Sequence, residues 1–247
     1  MHTILTIIVA AGSGTRMGTE LPKQFLAIGG EPIVMRTIRS MSASVDRFLT
    51  DCSSNVDEQA EASPNVENYV HKIVLVLPAS HIPQWGKLCD RHRFRIEHTV
   101  VAGGETRFHS VRNGLASAPD ADIVLVHDGV RPFADSRVVA DVILAARRHG
   151  AAVPVVPVVD SLRKLSGTDG DSESVNRSAY RAVQTPQGFR GDLLRKAYGA
   201  PYDGRFTDDA SVVELTGTGR VVLTEGNTAN LKITTPVDLA IAEVLLR

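Results

Sequence analysis

Cysteine is scarce in this chain. Only Cys52 and Cys89 occur among 247 residues. Two thiols make no disulfide framework, and the chain reads as a reduced, cytoplasmic protein. Long apolar runs are missing too. No window reaches about 18 uninterrupted apolar residues, which excludes a transmembrane helix. The start, Met1-His2-Thr3-Ile4-Leu5, has neither a charged leader nor a small-residue cleavage site, so no signal peptide is expected. An excess of positive charge is also lacking, with 27 Lys+Arg against 28 Asp+Glu. That balance argues against wholesale binding of nucleic acid, which needs a basic surface. It leaves open a small anionic ligand, because a few local cations suffice for one.

Apolar residues are concentrated in short β-branched runs. Ile4–Ala11, Lys72–Pro78, Asp122–Asp128 and Ala151–Pro157 each read as a strand buried on both faces. The prolines in the last run suggest either an edge strand or a bent exit. Between the runs lie helical patterns. Ile33, Val34, Ile38, Met41 and Val45 recur at spacing three to four. So do Val138, Val139, Val142 and Ala146, with Asp135 or Ser136 as N-cap and Gly150 as stop. Residues 105–118 read as another helix. Pro236 opens a last one carrying Leu239, Ile241, Ala242, Val244 and Leu245. Strands alternating with helices predict an α/β fold with an open, mostly parallel twisted sheet between two helix layers. Ligands bind beyond the carboxyl ends of the strands in such sheets.

Two segments break the alternation. Residues 42–68 are polar and acidic and are expected to form an exposed insertion. Residues 158–180, rich in Gly, Ser and Asp, read as a surface loop or a projecting hairpin. No internal repeat stands out, and a single domain over 1–247 is expected.

The first strand runs into Ala10-Ala11-Gly12-Ser13-Gly14-Thr15-Arg16-Met17-Gly18, followed by Leu21-Pro22-Lys23-Gln24. Small residues let the backbone approach a ligand, and successive N–H groups can face an anion. The spacing fits neither a Walker loop nor a G-x-G-x-x-G fingerprint. An ordinary strand–helix turn is one reading. Arg16 and Lys23 favour another: two fixed cations beside a donor-rich loop suit a triphosphate. The third strand ends in His127-Asp128-Gly129-Val130-Arg131-Pro132. A carboxylate there is placed either to hold Mg²⁺ or to cap a turn. His127 reads as a packing or hydrogen-bonding residue. No Cys/His cluster or H-E-x-x-H pattern supports zinc, and no G-x-S-x-G supports a serine nucleophile.

Taken together, A-A-G-x-G-x-R-M, L-P-K-Q, G-G-x-x-R-x-x-S-V, V-H-D-x-x-R-P, Q-T-P-Q, T-D-D-A-S and N-x-K-I-T occur in that order from Ile4 to Leu246. The set resembles the IspD family, 2-C-methyl-D-erythritol 4-phosphate cytidylyltransferases. The resemblance implies a Rossmann-like nucleotidyltransferase (GT-A-like) fold with a projecting β-arm. It implies transfer of CMP from CTP to methylerythritol phosphate, with release of pyrophosphate, on the non-mevalonate route to isoprenoid precursors, and Mg²⁺ as cofactor. By position it makes Arg16, Lys23 and Lys232 catalytic. Ala10, Ala11, Gly12, Ser13, Gly14, Gly104, Glu105, Ser110, Asp128 and Gly129 would bind nucleotide, with Asp128 as metal ligand. Arg131, Asp160, Ser161, Arg177, Thr185 and Thr207 would bind substrate. Residues 158–180 would be an arm that crosses to the partner of a homodimer and brings Asp160, Ser161 and Arg177 to its site. Ser161, Glu105 and Gly129-Val130 depart from the family's frequent Thr, Asp and Ala-Ala. Ribitol 5-phosphate, or another sugar or polyol phosphate, is the alternative acceptor. A non-catalytic nucleotide-binding protein is the rival from another class; intact Arg16, Lys23, Asp128 and Lys232 argue against it.

Overall fold

The computed structural model describes residues 2–12, 21–54, 69–167 and 170–247. Ser13, Gly14 and Arg16 lie outside the described residues, as do 55–68 of the expected insertion.

Strand β1 (His2–Val9) lies at the middle of an eight-stranded sheet. It pairs in parallel with β4 (Tyr69–Leu77) on one side and β6 (Ile123–Asp128) on the other. Short strands β2 (Ala27–Ile28) and β3 (Glu31–Pro32) form a separate hairpin after β1. Beyond β4 lies β5 (Thr99–Ala102), again parallel. Beyond β6 the order is β11 (Gln187–Arg190), antiparallel, then β7 (Ala151–Pro157) and β12 (Val222–Glu225). β10 (Arg181–Val183) pairs with the far end of β7 on the side of β11. The architecture is the expected mixed, mostly parallel α/β sheet. The proline-marked strand β7 is interior, flanked by β12 and by β10 and β11, so the edge reading was wrong. Pro154 lacks an N–H, yet its carbonyl accepts from Gln184 N–H at 2.8 Å.

β1 carries almost nothing but apolar side chains because both its faces are covered. Leu5 and Ile7 pack with Phe108, Val111 and Leu115 of α3 (Arg107–Ala116), Leu194 of α5 (Gly191–Tyr198) and Val213 of α6 (Asp209–Leu215). Ile4 and Ile8 point the other way. Ile8 meets Val34 and Ile38 of α1 (Ile33–Ser54) and Trp85 of α2 (Ile82–His92). Ile4 meets Val45 and Phe48 of α1 and Val139 and Ile143 of α4 (Ser136–His149). The last helix, α7 (Pro236–Leu245), packs Leu239 and Ala242 on Ile28 and Ile33, and Leu246 just beyond its end joins them.

Helix α4 starts and stops where expected. Asp135 caps it by accepting from Arg137 N–H, and Gly150 ends it at φ +94°. Helix α1 is a correction. It continues to Ser54, so residues 42–54 are not part of an exposed loop. Val45 and Phe48 extend the apolar stripe begun by Ile38 and Met41, and all four are buried. Each such side chain contributes about 1.5–3 kcal/mol, which holds the helix past the polar residues on its outer face.

Within residues 158–180 two short strands pair with each other. β8 (Leu162–Leu165) pairs antiparallel with β9 (Ser172–Val175) in a sheet of their own, apart from the central one. Val159 and Leu165 of this segment are about three-quarters exposed, at 76% and 75%.

Candidate active site

The parallel registers set the site. Val9 is opposite both Val76 and Asp128, so three strands end level with one another. Leu77 is opposite Ala102, which brings residues 103–106 to the same end. A cavity of about 380 Å³ lies there. Ala10, Ala11, Gly12, Lys23, Gly104, Glu105, Ser110, Asp128 and Lys232, all expected site residues, line it together.

Local hydrogen bonds explain why these loops meet. Gln24 is buried, and its Nε2 donates to Ala10 C=O at 3.0 Å, which anchors the turn bearing Lys23 to the end of β1. The Ser110 hydroxyl accepts from Gly104 N–H and donates to Thr106 C=O, at 3.1 and 3.0 Å. It thereby shapes the 103–106 loop before α3. Two glycines are required by close approach. A Cβ on Gly104 would lie 2.4 Å from His109 Cβ, and one on Gly129 would lie 2.7 Å from Ala10 Cβ.

Asp128 is the electrostatic centre. Its Oδ2 accepts from Arg131 Nε at 3.1 Å and lies 3.0 Å from Lys232 Nζ. Burial alone would raise the carboxyl pKa, but Lys232, Arg107 and Arg131 together hold it well below the usual range. Asp128 is therefore ionised at any working pH. Its Oδ1 has no partner among the described residues. Those residues contain no group of three or more His, Cys, Asp or Glu that could hold a metal ion. One carboxylate oxygen without a partner among the described residues fits Mg²⁺, which takes one or two carboxylates and completes its shell with substrate phosphate and water. The donor set is right for that ion and wrong for zinc.

Behind Asp128 lies a connected set of hydrogen bonds. The Thr185 hydroxyl accepts from Asp128 N–H and meets His127 Nδ1, both at 3.1 Å. His127 Nε2 lies 2.9 Å from Arg131 C=O. A carbonyl only accepts, so Nε2 carries the proton and Nδ1 receives the Thr185 hydrogen. Complete burial pulls the imidazole pKa down to about 4, which keeps the ring neutral. Asn230 joins the set: its Nδ2 donates to Thr185 C=O and its own backbone C=O accepts from Arg131, while its Oδ1 is buried without a partner among the described residues.

None of the six expected substrate contacts lines this cavity. Thr185 is buried behind Asp128 and does not line the cavity. Arg131 is buried and directs Nε and one terminal nitrogen inward. Thr207 is exposed just before α6, where its N–H donates to Ser211 Oγ. Asp160, Ser161 and Arg177 lie exposed on the hairpin and its return, outside the cavity lining. Arg177 donates to Val159 C=O there. Sequence reasoning missed Arg107, Gln24 and Asn230. Each lies inside a recognised motif, but only the fold reveals its partner.

Fold and cavity together define a nucleotidyltransferase. The model of the IspD family, 2-C-methyl-D-erythritol 4-phosphate cytidylyltransferase, matches residues 4–63 and 58–247. A protein of that name from Bacteroides thetaiotaomicron is 47% identical over 240 residues, covering 97% of this chain and 98% of its own. One from Geobacillus kaustophilus is 38% identical over 242 residues, covering 97% and 95%. Among solved structures, the Thermus thermophilus 2-C-methyl-D-erythritol 4-phosphate cytidylyltransferase superposes with a TM-score of 0.69 at 33% identity, covering 98% of each chain. The 4-diphosphocytidyl-2C-methyl-D-erythritol synthase of Anaerococcus prevotii gives 0.75 at 25% identity, covering 99% and 98%. This chain belongs to the IspD family.

Proposed function

We propose that the cavity beyond β1, β4 and β6 is where this chain carries out its family's reaction. That reaction transfers CMP from CTP to the phosphate of 2-C-methyl-D-erythritol 4-phosphate and releases pyrophosphate. The observation that carries the assignment is the meeting of Lys23, Asp128 and Lys232 in the lining of one cavity with the small-residue loop Ala10–Gly12.

The chemistry is an in-line displacement at the α-phosphorus. Two polyanions must approach each other, so charge neutralisation dominates the barrier. The acceptor phosphate is already ionised near neutral pH, and no general base is needed. Lys23 and Lys232, with Arg16, stabilise the charge that builds on the α-phosphoryl oxygens. Residues 10–14 and 103–110 hold the nucleotide through backbone donors. Asp128 would hold Mg²⁺, which supplies neutralisation and orientation of the triphosphate oxygens when bound. Asp128 also keeps Lys232 at the site before the substrates arrive.

We further propose that the 158–180 hairpin pairs two copies of the chain. Arg177 would then grip the acceptor phosphate of the partner's site, with Asp160 and Ser161 beside it. Val159 and Leu165, apolar and exposed on this arm, support that reading. No helix among the described residues is long and apolar enough to cross a membrane. Free Cys52 and Cys89 agree with a reduced cytoplasmic compartment.

Pyrophosphate release with CTP and methylerythritol phosphate tests the assignment, run beside ribitol 5-phosphate and the other nucleoside triphosphates. Turnover confined to CTP with methylerythritol phosphate is expected. Faster turnover with ribitol 5-phosphate would replace the acceptor, and turnover with no acceptor would end the reading.

A further inference from the structure

An arginine outside the expected site residues, Arg107, reaches the cavity, and its setting differs from that of Arg131. Arg131 directs Nε to Asp128 and a terminal nitrogen to Asn230 C=O, so its fork is turned into the protein. Arg107 lines the cavity, with its side chain about 30% exposed. One terminal nitrogen of Arg107 donates to Asp209 Oδ2 at 2.6 Å. No other bond ties its guanidinium among the described residues. Asp209 is fully buried, and its other oxygen accepts from Tyr198 O–H at 2.6 Å. Tyr198 is in turn stacked on Phe108 with ring centroids 4.7 Å apart. A buried, doubly bonded carboxylate thus clamps one corner of a planar five-donor group. The remaining donors have no partner among the described residues, in a side chain that is part-exposed and belongs to the cavity lining.

We infer that Arg107 is a further phosphate-binding residue of this site, held ready by the Asp209–Tyr198 pair behind it. The inference rests on the functional reading above. A guanidinium matches two phosphate oxygens at once, and holding it in one rotamer before the ligand arrives lowers the entropy cost of binding. Both substrates carry phosphate. The shared chemistry is a phosphate group, and the two substrates are separated by experiment.

Calorimetric binding of CTP and of methylerythritol phosphate is measured separately on the full-length protein, with pyrophosphate-release kinetics and thermal melting alongside. Arg107→Lys keeps the charge and a partner for Asp209 but loses the fork. The double variant Arg107→Gln, Asp209→Asn removes charge from both partners, so no buried carboxylate is stranded. Weakening of one ligand's Kd by about 10- to 100-fold is expected in both variants, with the other ligand within about twofold. Whichever ligand weakens is the source of the phosphate. If the double variant does not fold, Arg107→Lys alone decides. Unchanged affinity for both ligands in folded Arg107→Lys would overturn the inference. So would equal weakening of both together with a lowered melting temperature, which marks the arginine as structural. Binding is read without turnover, so an inactive wild type would sink the functional reading while still leaving Arg107 tested.

Discussion

Replacing Thr185 by Val probes the support behind Asp128 with almost no change of shape. The hydroxyl is 3.1 Å from both Asp128 N and His127 Nδ1, in a residue only 5% exposed. Valine leaves two buried polar groups without a partner. His127 cannot compensate by changing tautomer, because Nε2 must donate to Arg131 C=O. Each of the two stranded groups costs about 1–3 kcal/mol, so a loss of about 2–6 kcal/mol is expected at neutral pH. For a chain of this length that lowers the melting temperature by at least about 4 °C. Serine keeps the hydroxyl and removes one methyl, worth about 1 kcal/mol. Urea unfolding followed by the fluorescence of Trp85, the chain's one tryptophan and buried in the core, reads both variants. Activity should follow stability in order, because the Asp128 backbone loses its anchor in the valine variant and regains it in the serine one. A valine variant within 0.5 kcal/mol of wild type, or a serine variant as damaged as the valine one, would refute the reasoning.

Other expectations concern charge. Arg16→Ala, Lys23→Ala or Lys232→Ala should each lower kcat by about 10²–10³, the scale for losing one preorganised charge-stabilising donor. Full turnover in the folded variants would remove these residues from the mechanism. Arg177→Ala should raise the KM for methylerythritol phosphate about tenfold and leave that for CTP unchanged, if the arm supplies a charge-assisted phosphate contact. An unaltered KM would count against the arm's role, and light scattering of the wild type should give twice the chain mass. His71 supplies a pH test. Burial pulls its pKa from 6.5 down to about 4, more than neighbouring Asp46 raises it, while Thr6 Oγ1 meets its Nε2 at 2.9 Å. The unfolded chain therefore binds a proton that the folded chain refuses between about pH 6.5 and 4. Stability contributed by the neutral ring is present above that window and is lost as pH falls through it, by about 3 kcal/mol in all. His71→Gln should flatten this acid limb in unfolding measured from pH 7 to 4, and an unchanged slope would refute the assignment.

The central sheet was legible because its strands are buried on both faces. Ile4–Ala11 and Asp122–Asp128 read as unbroken apolar runs, and the structure makes them neighbours, β1 and β6. Elements whose burial comes from distant partners were less visible. Val45 already belonged to the helical pattern of α1, but the helix continues well beyond it because Val45 and Phe48 pack with Ile4 and Ile143, partners that lie far off in the chain. The interior position of β7 depends on β10, β11 and β12, which follow it in the chain by some 25 to 75 residues. A proline therefore signalled an edge that the later strands cover.

In the site, residue type was legible and orientation was not. Asp128, Lys23 and Lys232 were expected from their motifs, and the cavity brings them together. Thr185 and Arg131 belong to the same motifs, yet their polar atoms are committed inward to His127, Asp128 and Asn230. Motif membership reports that a residue matters to the site. Which face of it the ligand meets depends on where its other bonds go. Arg107 shows the converse: its partner Asp209 lies 102 residues away, and that separation hides its role. A net charge of −1 conceals this arrangement as well. Lys23, Lys232 and Arg107 reach one cavity with Asp128 and Glu105, so three basic side chains face two acidic ones among its described lining residues, and the local balance is cationic where a polyanion must bind, whatever the sum over the surface.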